Sequence, residues 1–254
     1  MEWNPSLIEQ VETIAREAGI LLIESRSALS KVNAAVQKDI KLAGDVAAEE
    51  QIRAALMSSF EWPVLGEELG GDSGLLASDQ YYWVVDPLDG THNYLREVPL
   101  CCVSIALCKG SSPILGVIYD FNRDELFSGW VGHGLYLNGQ PWRSRWAESV
   151  GQASLQTGFP TGRSYGSEAL EAFIGKVQQY KKVRMIGSAA LALAWVAAGR
   201  FDVYFEEGTK FWDVAAGIAL ICAAGGYVAC DFAGDNTPLI RSLWGSGRKD
   251  LCLQ

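Results

Sequence analysis

The run Asp86-Pro87-Leu88-Asp89-Gly90-Thr91-His92-Asn93 concentrates the groups that could do chemistry. Two carboxylates three residues apart, with the Leu88 carbonyl between them, are hard oxygen donors of the kind that hold Mg²⁺. Gly90 lets the backbone come close to a ligand. A helix opening at Gly90 or Thr91 would aim its free N–H groups at whatever sits on the metal, which is a phosphate site. The structural alternative is an Asp-Pro turn leading into an N-capped helix.

Two further acids bear on that choice. Glu68, in Gly66-Glu67-Glu68, follows the apolar pair Val64-Leu65 and stands 18 residues before Asp86, enough for the chain to return. Asp213, in Trp212-Asp213, opens a helix whose next residues are small (Val214, Ala215, Ala216, Gly217), which allows close packing behind a site. Read alone, Glu68 is a solvated loop residue and Asp213 a helix N-cap.

The elements that must position these acids follow from periodicity. Asn4 caps and Pro5 opens a first helix, with Leu7, Ile8, Val11, Ile14, Ala15, Ala18, Leu21 and Leu22 on one face. A second helix is predicted after Asp45, with Ile52, Ala55 and Leu56 inward; both helices should pack on a sheet. The runs 81–85, 102–107, 113–119 and 126–130 have strand composition and turn punctuation, the pattern of an antiparallel meander. Asp-Pro is expected to end the first of them, and Asn138-Gly139 signals a type I′ hairpin. Strands are predicted at 153–157, 183–186, 201–205, 227–230 and 243–245. Helices are predicted at 167–180, from a Ser188 cap to Ala198, and at 214–224 behind an Asp213 cap. Mixed elements of this kind indicate a layered α/β or α+β chain. The division expected is 1–145 and 146–254, two intimately packed subdomains with no linker.

The chain has 254 residues, 49% hydrophobic and 20% charged, an ordinary globular balance. Its net charge of −9 argues against a nucleic-acid or anionic-membrane partner, both of which need clustered Lys and Arg. No apolar tract is long enough to span a bilayer, and the N-terminus lacks the pattern of a signal peptide. The six cysteines show no zinc spacing and read as buried, reduced thiols of a cytoplasmic protein.

Together, Gly66-Glu67-Glu68, Asp86-Pro-Leu-Asp-Gly-Thr-His-Asn and Trp212-Asp213-Val-Ala-Ala-Gly resemble the motifs of the inositol monophosphatase family, in the family's order. Gly187-Ser188-Ala189-Ala190 is similar to a family element near the substrate. The resemblance implies a layered αβαβα sandwich, of the inositol monophosphatase and fructose-1,6-bisphosphatase type, with a site between two subdomains. It implies two or three Mg²⁺ ions held by Glu68, Asp86, the Leu88 carbonyl, Asp89 and Asp213. Asp86 would bridge two ions, and Thr91, paired with Asp45, would position the attacking water with Glu68 beside it. Gly90, Thr91, Ala190, Glu206 and Asp213 would meet the substrate, with Glu207 able to take over from Glu206. Inhibition by lithium and a homodimer are also implied. The sequence departs from the family where Lys41-Leu42-Ala43-Gly44-Asp45 lacks the usual Thr before the Asp. Lys38 is the match for an upstream family lysine. His92 stands where many members have another residue; it and His133 read as bystanders.

The expected function is Mg²⁺-dependent hydrolysis of a small alcohol phosphate, most closely an inositol-1-phosphate. A phosphate monoester is nearly a dianion at pH 7, so four carboxylates would repel it unless divalent cations reverse the sign. No Cys–His nucleophile signature is present, which agrees with direct attack by water. Related specificities are alternatives: adenosine 3′,5′-bisphosphate, fructose 1,6-bisphosphate or histidinol phosphate. A catalytically idle metal-binding or interaction protein is the alternative from another class.

Overall fold

The computed structural model describes residues 4–24, 26, 32–36, 39–159, 166–234 and 236–253, and of 32–36 and 39–42 the backbone alone. Lys38 lies outside the described residues. Helix α1 (Pro5–Glu24) is followed by the hairpin β1 (Val32–Val36) and β2 (Asp39–Leu42), then α2 (Ala43–Ser59). The buried positions of α1 (Leu7, Ile8, Val11, Ile14, Ala15, Ala18 and Leu22) recur at helical spacing.

A seven-stranded sheet comes next: β3 (Val64–Gly66), β4 (Tyr81–Asp89), β5 (Cys102–Lys109), β6 (Ser112–Asp120), β7 (Glu125–Trp130), β8 (Gly134–Leu137) and β9 (Gln140–Trp142), in that spatial order. Only β3–β4 is parallel; the rest is an antiparallel meander. Asn138 and Gly139 both have positive φ (49° and 71°), as a type I′ turn between β8 and β9 requires. A short helix, α3 (Thr91–Leu95), leaves the end of β4.

The second half forms a five-stranded sheet, ordered β11-β10-β12-β14-β13. Its strands are β10 (Ser154–Thr157), β11 (Lys182–Arg184), β12 (Val203–Glu206), β13 (Tyr227–Phe232) and β14 (Ile240–Ser246). Its helices are α4 (Ser167–Val177), α5 (Ala189–Ala197) and α6 (Phe211–Ala223).

Three apolar clusters define the layers. The first sets α1 and α2 against one face of the seven-stranded sheet, around Trp83, Val85, Ile105 and Leu115. The second fills the space between the sheets with α5 and α6, joining Tyr82, Ala106 and Phe127 to Tyr204 and Leu243. The third sets α4 on the outer face of the smaller sheet, through Phe173, Val177, Phe205 and Trp244. The order is therefore αβαβα. The small residues of α6 allow this closeness: a Cβ on Gly116 of β6 would stand 2.2 Å from the Ala216 carbonyl oxygen.

Two boundaries differ from the pattern read in the sequence. β4 does not stop at the Asp-Pro step but continues to Asp89. Helix α6 begins at Phe211 with Lys210 as its N-cap, so Asp213 is the third helical residue, not the cap; its Oδ2 accepts the Lys210 N–H at 3.0 Å. No described helix is long and apolar enough to cross a membrane.

Candidate metal centre

The end of β4 explains how two aspartates three residues apart serve one site. Asp86 pairs with Ser104 of β5, and the next pair is Asp89 with Cys102, so Pro87 and Leu88 stand opposite one residue. This is a β-bulge, a place that suits a proline with no N–H to give the ladder. In a regular strand, residues three apart face opposite ways. The extra residue restores Asp86 and Asp89 to one face. Asp86 is almost wholly buried, and its Oδ1 accepts the Leu88 N–H at 3.0 Å. Gly90, at φ 91°, turns the chain into α3, and a Cβ there would stand 2.7 Å from the Leu100 carbonyl oxygen.

The third carboxylate is Glu67, and this corrects the assignment of Glu68. β3 runs parallel to β4 with Gly66 opposite Val85, and the Glu67 N–H donates to the Val85 carbonyl at 3.2 Å. One step further along that register, Glu67 stands level with Asp86. Oxygens of Glu67, Asp86 and Asp213 lie within 4.8 Å of one another, the set among the described residues able to hold a metal ion. Glu68 is outside this set; its N–H is bound by Oε2 of Glu49 at 2.7 Å.

Asp89 sits at the head of α5. It accepts from the Ser188 hydroxyl and, at 2.7 Å, from the Ala190 N–H. Ala190 is therefore not a substrate contact: it is fully buried and its N–H belongs to Asp89. Ala189 lines the cavity in its place. The Thr91 hydroxyl donates to the Leu88 carbonyl at 3.1 Å, which gives its single proton to that oxygen. Asp45 itself is buried in the first turn of α2.

Burial and mutual repulsion shape the charges here. Burial pushes the Asp86 carboxyl well above its ordinary range, and the charges of Glu67, Asp89 and Asp213 add to the push. Burial raises Asp213 to about 8, with Asp89 next among the causes. Asp89 is raised by burial to about 6, held down by its bonds from Ser188 and Ala190. A cluster that resists ionising alone is stabilised by a divalent cation, so this donor set suits a hard metal.

Glu67, Asp89 and Asp213 line a cavity of about 340 Å³. In the same cavity, Glu206 accepts from the Tyr204 hydroxyl at 2.9 Å, and burial raises its carboxyl to about 7. Glu207 lines a different cavity, because strand neighbours point to opposite faces. The exposed Lys210 stands at the first cavity as a cation. Asn93, from α3, donates to the carbonyls of Leu100 (2.8 Å) and Ile186 (2.7 Å), tying the metal loop to the segment before α5. His92 and His133 are exposed. Sequence reading missed Glu67, Ala189, Asn93 and Lys210; for Glu67 the usable signal was the strand register from Val64.

Comparison with known proteins agrees with this architecture. Residues 3–249 match the model of the inositol monophosphatase family, and the chain belongs to that family. It is 42% identical over 228 residues (88% of this chain, 81% of the other) to a protein of Xylella fastidiosa named Nus factor SuhB. It is 34% identical over 230 residues (89% and 86%) to the fructose-1,6-bisphosphatase/inositol-1-monophosphatase of Aquifex aeolicus. The inositol monophosphatase structure from Anabaena superposes with a TM-score of 0.79 at 34% identity, covering 96% of this chain and 91% of that one.

Proposed function

We propose that this chain is a Mg²⁺-dependent phosphomonoesterase acting on a small alcohol phosphate of the inositol-1-phosphate type. The observation that carries the reading is the Glu67–Asp86–Asp213 cluster, with Asp86 buried, its two partners half-buried and Asp89 beside it on the cavity wall. In this reading Glu67, Asp86, the Leu88 carbonyl, Asp89 and Asp213 would hold the Mg²⁺ ions, two or three of them. The Leu88 oxygen gives one lone pair to Thr91 and keeps one for the ion. Bound Mg²⁺ supplies positive charge to the phosphoryl oxygens and acidifies water. Thr91, Glu67 and Asp45 orient the attacking water. The backbone N–H groups of Gly90 and Thr91 receive the phosphate, and Lys210 draws the anion into an otherwise acidic cavity. Glu206, held by Tyr204 in the cavity, accepts hydrogen bonds from hydroxyls of the alcohol. A cavity of about 340 Å³ is at the small end of ligand sites. The chain is taken to work as a cytoplasmic homodimer, an expectation carried by the family alone.

The test is chelation. Activity on inositol 1-phosphate should vanish in a verified metal-free sample and return with Mg²⁺, and Li⁺ should inhibit. Full metal-free turnover would sink the mechanism. Parallel assays with fructose 1,6-bisphosphate, adenosine 3′,5′-bisphosphate and histidinol phosphate rank the related specificities. The name of the Xylella relative favours a second reading, a Nus factor role. Such a role would survive substitution of Asp86, whereas hydrolysis would not.

A further inference from the structure

We propose that Glu49 and Arg53 of α2 are positioning residues that set the metal affinity of the centre by fixing Glu67. The proposal rests on the metal-binding reading above. Glu49 is fully buried, and its Oε1 pairs with Arg53 Nε at 2.8 Å, one helical turn away. Burying such a pair is weak evidence for stability, because desolvation offsets most of the attraction. What distinguishes this pair is where its remaining bonds go. Glu49 accepts the N–H groups of Glu68 (2.7 Å) and Leu69 (3.1 Å). Arg53 donates to the carbonyls of Val64 (3.1 Å) and Gly70.

All four bonds therefore land on residues 64–70, the segment that carries Glu67. Arginine holds its two ends and glutamate its middle, and the Gly66 N–H closes the loop on the Gly70 carbonyl at 3.0 Å. Gly66 belongs to the same device: a Cβ there would stand 2.0 Å from Glu49 Oε1. A glutamate on an unpinned loop would have to be ordered each time an ion bound. Groups that orient a ligand in this way change metal affinity by roughly 10–100-fold when removed.

The test is a Mn²⁺ titration followed by the electron paramagnetic resonance signal of free Mn²⁺, on the full chain. It compares wild type with Glu49→Gln, Arg53→Lys and Gly66→Ala, and with Arg16→Gln as a control in a distant exposed ion pair. The three site variants should bind Mn²⁺ about tenfold more weakly than wild type and control. Their half-activating Mg²⁺ should rise by a similar factor, with KM for the ester at saturating Mg²⁺ unchanged. Arg53→Lys keeps charge and stem but loses the fork, so it stays informative if Glu49→Gln fails to fold. Lower melting temperatures with unchanged Mn²⁺ affinity would make the pair merely structural and overturn the proposal. A wild-type chain that binds no Mn²⁺ would overturn the metal reading itself, which separates the two failures.

Discussion

Asp86 and Asp213 reach the same point from different halves of the chain, one on a strand end and one in the first turn of a helix. Asp86→Asn keeps the shape and removes the charge of the residue proposed as the central metal ligand. Turnover should fall at least about a hundredfold, the scale of losing a major electrostatic contributor. Asp213→Asn should cut turnover similarly, although its bond from the Lys210 N–H also helps cap α6. Near-wild-type turnover of a folded variant at saturating Mg²⁺ would reduce that residue to a structural one. Glu206→Gln tests recognition apart from chemistry. KM for a polyol phosphate should rise, while a hydroxyl-free aryl phosphate should be hydrolysed almost as before. Equal losses of kcat on both substrates would place Glu206 among the catalytic groups. The chemical types at the site were legible in the sequence, and so was the choice of Glu206 to line the cavity, but two choices between neighbours were not. Glu67 against Glu68 and Ala189 against Ala190 each turn on which way a side chain faces. That is set by register with a partner strand or helix end, which one chain read alone does not display.

Among the elements, α6 matters most, since it brings Asp213 to the seven-stranded sheet and fills the gap between the sheets. Its seat on β6 has no room for a methyl group at Gly116. Gly116→Ala should destabilise the fold by about 1–3 kcal/mol, the usual cost of overpacking, measured by urea unfolding. A change below about 0.5 kcal/mol would mean that α6 shifts freely on the sheet. Local pattern was enough to anticipate α1, the meander and the cap of α5, because apolar spacing and turn residues act within a few positions. It was not enough for the bulge at Pro87-Leu88, which exists only against β5. Nor did it reveal the Glu49–Arg53 strut, whose meaning depends on bonds to a loop 17 to 20 residues away in sequence.

For the molecule as a whole, the acidic centre makes stability depend on pH and metal together. Asp213, at about 8 in the fold, and Glu206, at about 7, have ordinary values of 3.8 and 4.5. Between those limits the metal-free folded chain holds protons that the unfolded chain has lost. Its stability should therefore fall as pH rises from 6 to 8. Mg²⁺ binds the deprotonated ligands and displaces those protons, so the gain in melting temperature on adding Mg²⁺ should be larger at pH 8 than at pH 6. Thermal melts of chelated and Mg²⁺-loaded protein at both pH values measure this. Equal stability of the chelated protein at the two pH values would contradict it.

The placement of α6 also orders the life of the chain during synthesis. The seven-stranded sheet is complete at Trp142, yet the helix that covers its inner face runs from Phe211 to Ala223. Until the ribosome has delivered α5 and α6, Tyr82, Ala106, Ile118 and Phe127 lack their partner layer, and the clustered acids number three rather than four. A nascent chain stalled near residue 145 would carry an open apolar face of the kind that chaperones grip. The fourth carboxylate of the site, Asp213, thus joins the other three only when the C-terminal half has been made.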